Sequence, residues 1–140
     1  MTTSALIDRR PFPRLVAAGQ GLYFVATGVW PLVHMPSFLA VTGPKTDLWL
    51  VETVGILVGA IGVSLLISAA RGPIRDEVII AAIVSAVGLT AIDILYVTRG
   101  VIRKVYLADA FLEVLFVGGW LLYLAWRVRK LRSAPAQSKI

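Results

Sequence analysis

Cysteine is absent from the 140 residues. Disulfides, thiolate metal sites and thiol redox chemistry are therefore excluded. Histidine occurs once, as His34, so the two axial ligands of a membrane b-type haem cannot come from one chain. The spacings HExxH, ExxH and HxxxH are missing, which leaves a divalent-metal site on His34 without its usual signal. Neither a P-loop nor a GxGxxG is present, so nothing supports nucleotide binding, and no cofactor is expected. Charge is scarce too, at 16% of residues, and most of it sits in short clusters between long apolar runs.

What fills the chain is hydrocarbon. Hydrophobic residues make up 58%, with a mean hydropathy of +0.82, against about 45–50% apolar residues in a soluble domain. This is the pattern of a polytopic membrane protein of one domain. In such a chain a net charge of +6 reports topology and contact with anionic lipid, and no nucleic acid partner is expected.

A bilayer-crossing helix needs about 20 mostly apolar residues. Spans are expected at 15–33, 48–70, 78–97 and 105–126, separated by HMPSFLAVTGPKTD, RGPIRDE and TRGVIRK. Gly43-Pro44 and Gly72-Pro73 are turn dipeptides, Asp76 and Glu77 suit a first helical turn, and Gly100 suits a C-cap. Short connections predict an all-α up-down-up-down membrane bundle over 1–133, followed by a disordered tail over 134–140. The length of the first span, its internal Trp30-Pro31 and the lack of a small-residue cleavage site argue against a signal peptide.

Arg9, Arg10, Arg14, Arg71, Arg75, Arg127, Arg129, Lys130, Arg132 and Lys139 fall on the side shared by both termini. Only Lys45, Arg99, Arg103 and Lys104 fall on the other. The positive-inside rule then puts both termini in the cytoplasm.

On this frame His34, Glu52, Asp93, Asp109 and Glu113 all fall in the outer half, although they come from four spans. Helical phase sets Glu52 on a stripe with Gly55, Gly59 and Gly62, and Asp93 with Ala82, Ala86 and Tyr96. Asp109 and Glu113 share theirs with Trp120 and Tyr123, and Tyr23 shares one with Gln20, Thr27 and His34. An Asp at the centre of an inserted helix costs about 2.5–3.5 kcal/mol. The expectation is a polar, aromatic-lined pocket with Glu52, Asp93 and Glu113 as anchors and Asp109, His34, Tyr23 and Tyr96 beside them. Blander roles compete. Asp109 could snorkel towards Lys104, Glu113 could bond Tyr23 or Thr27, Glu52 and Asp93 could pin helices, and His34 could be a loop residue. Trp49, Tyr96 and Tyr106 lie at the depth of an interfacial aromatic belt.

The functional expectation is binding or handling of a small amphipathic or cationic ligand, with membrane lipids as further partners. An acid–base enzyme acting on a lipid or isoprenoid, and an accessory subunit of a larger complex, are the alternatives. GxxxG at Gly55–Gly59 allows close backbone approach, so a homodimer through that face is expected.

The segment GVWPLVHMPSFLAVTGPKTDLWLVETVG (28–55) resembles one found in small bacterial membrane proteins of no assigned function. The four-span plan is similar to that of the DoxX-like group of bacterial membrane proteins, at the level of hydropathy. These resemblances imply a bacterial inner membrane and transfer no functional residue. They also imply that the loop around Thr42–Asp47 is more than a linker, with Asp47 as N-cap of the second span and the loop as a lid.

Overall fold

A computed structural model describes residues 11–133. Asp8, Arg9, Arg10, Lys139 and the expected tail lie outside the described residues. Within them the chain forms α1 (Pro11–Thr42), α2 (Leu48–Arg71), α3 (Asp76–Thr98) and α4 (Tyr106–Ser133). All four are long and apolar enough to cross a membrane, the mark of a multi-pass membrane protein. Large apolar side chains face outward on every helix, among them Leu22, Leu57, Val84 and Phe111. A surface of that kind needs an apolar solvent. The turns 42–48 and 98–106 share one end of the antiparallel bundle. Residue 11, the turn 71–76 and residue 133 share the other, called here the terminal end.

Two hairpins make the bundle, and packing is closer within each than between them. In the first, glycines let two backbones meet. A Cβ on Gly28 would stand 2.5 Å from the Gly55 carbonyl oxygen, and one on Gly21 would stand 2.8 Å from that of Gly62. Only glycine fits there. The Gly55–Gly59 face assigned above to a second copy is thus occupied by α1 of the same chain. At the terminal end Arg14 donates from Nε to the Ala69 carbonyl (2.7 Å) and from Nη2 to that of Ala70 (3.3 Å). Those carbonyls have no partner inside α2. In the second hairpin Arg127 pairs with Asp76, with one Nη2–Oδ2 distance of 2.9 Å. A core of Ala17, Leu65, Ile79, Ala82 and Trp120 closes this end.

α1 departs from expectation. The first span was expected to end at Val33, yet helix continues to Thr42 across a break at His34 (φ −149, ψ 75). Pro36 has no N–H to give the Leu32 carbonyl, and its ring clashes with that carbonyl, so the helix cannot run straight through. His34 restarts it instead. Its Nδ1 accepts the Ser37 backbone N–H at 3.2 Å, in the manner of an N-cap, and its carbonyl accepts the Ser37 hydroxyl at 3.0 Å. Trp30 Nε1 donates to that hydroxyl oxygen (2.8 Å), which ties the two segments together.

Gly43 (φ +93) and Gly100 (φ +69) end α1 and α3 in the left-handed region, where a side chain would clash with its own backbone. Asp47 precedes α2 but makes no side-chain cap. Its carboxylate takes the Thr46 hydroxyl at 3.3 Å, and only its carbonyl serves the helix.

Candidate acidic site

α3 buries one stripe: Ile79, Ala82, Ala86 and Asp93. α4 buries Ala110, Glu113, Trp120 and Tyr123. Both series step three, four or seven residues, so each carboxylate sits on the face its helix turns inward. Asp93 is 4% exposed and Glu113 1%. Asp109, one turn before Glu113, is half-buried. Asp93 lies within hydrogen-bonding reach of Asp109, and the charges of both reach Glu113. From α1, the Tyr23 hydroxyl donates to Asp109 Oδ1. Its ring packs 5.9 Å from Phe116.

Donors are missing from this cluster. Asp93 Oδ2 and both Glu113 oxygens are enclosed without a hydrogen-bond partner, as is the Thr90 hydroxyl on α3. The two donors expected for Glu113 go elsewhere: Tyr23 to Asp109, and Thr27 to the Tyr23 carbonyl at 2.8 Å. No lysine or arginine among the described residues forms an ion pair with any of the three acids. A buried charge without a partner is strongly unfavourable. The enclosed oxygens therefore need a proton or a cation. Among the described residues, no three His, Asp or Glu side chains converge closely enough to hold a metal ion.

Asp93, Glu113, Asp109 and Tyr23 thus come together, and three of the seven expected residues do not join them. Glu52 is exposed on α2 rather than turned inward. The α1–α2 glycine register, carried one turn further, sets position 52 opposite Pro31, yet the Glu52 side chain stays exposed. His34 is exposed and engaged in its capping bond. Tyr96 is half-buried, its ring 6.0 Å from the Arg99 guanidinium. α2 contributes no carboxylate, so the acids come from α3 and α4 alone. Clefts of about 440 Å³ beside Arg14 and Ala69, and about 220 Å³ beside Pro13 and Trp126, lie at the terminal end.

Other residues matter more than the sequence indicates. Gln20, wholly buried, donates from Nε2 to the Ala82 carbonyl (3.0 Å) and accepts from Trp120 Nε1 (2.8 Å). This clamp on α1, α3 and α4 floors the acid cluster. Tyr106, expected at the depth of an interfacial belt, adjoins the acids. It shares the inner stripe of α4, feels the charges of Asp93 and Asp109, and has its hydroxyl in reach of Thr42. Over its ring lies the Lys45 ammonium, 5.1 Å from the centroid, which also donates to the Thr42 carbonyl at 3.1 Å. Arg103 Nη1 donates to the Ala40 carbonyl (2.8 Å) and fastens the end of α1 beside them. Burial, and then the charge of Arg103, hold the Lys45 ammonium below the ordinary lysine pKa. Signal for both residues existed in the sequence. Gln20 is the one amide in an apolar span, and Tyr106 continues the stripe of Asp109 and Glu113.

No family model matches the chain, and no curated protein and no solved structure is similar to it.

Proposed function

We propose that the chain is a bacterial inner-membrane protein, cytoplasmic at both ends. Its Asp93–Asp109–Glu113 cluster, in the outer half, takes up a small organic cation with an apolar body in exchange for protons. The observation that carries this reading is the set of three enclosed, donorless oxygens on Asp93 and Glu113. Proton and ammonium are interchangeable answers to the same need. Aromatic walls suit the second, because ring faces attract a desolvated cation by about 2 kcal/mol. Tyr23, Phe116 and Tyr106 supply those walls.

Orientation rests on charge. Arg14, Arg71, Arg75, Arg127, Arg129, Lys130 and Arg132 lie at the terminal end, against Lys45, Arg99, Arg103 and Lys104 at the other. That asymmetry favours a cytoplasmic terminal end. The looser seam between the hairpins supports a way in, since the closely packed α1–α2 and α3–α4 faces offer none. Lipid chemistry finds less support. Two acids flanking one reacting centre need about 5–10 Å between them, which rules out the pair Asp93 and Asp109, within hydrogen-bonding reach of each other. An accessory subunit would turn its acids outward, and Asp93 and Glu113 are buried.

The test is thermal unfolding in lipid nanodiscs with octylammonium, and with octanol as the neutral control. Octylammonium should raise the Tm of the wild type, and octanol should not. Glu113→Gln and Asp93→Asn should abolish that rise while Glu52→Gln, outside the cluster, keeps it. Equal effects of amine and alcohol, or a rise that survives Glu113→Gln, would refute the reading.

A further inference from the structure

The chain places one of its own ammonium groups on the aromatic ring beside the acidic site. Tyr106 begins α4 and stands about one turn, roughly 5 Å along the axis, before Asp109 on the same face. Lys45 Nζ sits 5.1 Å from the centroid of that ring, and Asp93 and Asp109 lie near enough to act on the same side chain. The arm holding the amine is short and fixed. Gly43 turns at φ +93, and a Cβ there would come within 3.1 Å of Arg103 Nε, so Arg103 packs directly on the turn. Arg103 in turn holds the carbonyls of Ala40 and Val41, at 2.8 and 3.4 Å.

We infer that Lys45 is a tethered competitor: its ammonium occupies the first position that a primary alkylamine takes on its way to the acids. The inference rests on the cation reading above and names the ligand class for the same site. Two contacts define that class. The Tyr106 ring accepts any cation over its face, but the Thr42 carbonyl accepts a hydrogen bond, which among ammonium ions only one bearing an N–H supplies. A quaternary ammonium satisfies the ring and leaves the carbonyl unmet. Lys45 is also displaceable. It faces the like charge of Arg103 from the α3–α4 turn, and it is partly desolvated. No carboxylate among the described residues forms an ion pair with it.

The experiment compares octylammonium affinity, by titration calorimetry in nanodiscs, across the wild type, Lys45→Met and Tyr106→Leu. Removing the competitor should tighten binding about two- to fivefold, the equivalent of one part-exposed cation–π contact. Removing the ring should weaken it by a similar factor in both the wild-type and Lys45→Met backgrounds. Octyltrimethylammonium should bind more weakly than octylammonium to Lys45→Met. The opposite signs expected for Lys45→Met and Tyr106→Leu separate competition from general damage to the fold. Binding by the wild type that Lys45→Met leaves unchanged would overturn the competitor and spare the cation site. Binding by Lys45→Met alone would support both, and binding by neither would overturn both.

Discussion

At the residue scale, Gln20 and Glu113 are contrasting ways to bury a polar group. Gln20 gives and accepts one hydrogen bond each, to Ala82 and Trp120, and needs nothing further. Glu113 has no partner for either oxygen. The first is a fastener and the second a demand. Gln20→Leu should therefore lower unfolding stability by about 1–3 kcal/mol, since it strands the buried indole N–H. Trp120→Phe should cost less in that background than in the wild type, because one bond links the two side chains. Equal costs in both backgrounds, measured by unfolding in detergent, would show the bond to be idle. Glu52 and His34 show how residue-level reading goes astray. Both lie on the expected stripe, yet both side chains are exposed, His34 at the break before Pro36.

At the element scale, the helices themselves were legible. Long apolar runs cut by Gly-Pro pairs and charges place three of the four within a few residues of their observed bounds, apart from the far end of α4. Helical phase also found the inward faces of α3 and α4, because Asp93 and Glu113 are polar points in otherwise apolar stripes. Two things stayed hidden. Which helix meets which glycine face is a matter of tertiary pairing, so the Gly55–Gly59 motif fitted a second copy as well as α1. Lys45 over Tyr106 joins residues 61 apart and depends on a turn geometry no local pattern encodes. The α1–α2 contact is testable by adding one carbon. Gly28→Ala and Gly55→Ala push a Cβ to 2.5 Å from a backbone oxygen and should destabilise by about 1–3 kcal/mol. Gly59→Ala meets nothing within 4 Å and should be neutral or mildly stabilising. Equal losses at all three positions would mean that the helices pack in another register.

At the scale of the whole molecule, the two hairpins divide the work. The first is held by glycine contacts and the Arg14 cap, and it brings Tyr23 and Gln20 to the seam. The second carries all three acids. Between them a polar column runs from Lys45 through Tyr106, Asp109 and Glu113 to Gln20. Below it the packed Ala17, Leu65, Ile79 and Ala82 close the terminal end. Packing at the foot of the column is expected, on the proposed reading, to favour uptake and release on the same face over transport across. Proton release on binding octylammonium, measured by calorimetry in two buffers of different ionisation heat, tests this arrangement most directly. The wild type should release protons as the amine binds, and Glu113→Gln should release fewer. Binding heats that are the same in both buffers would contradict proton–cation exchange at these carboxyl groups.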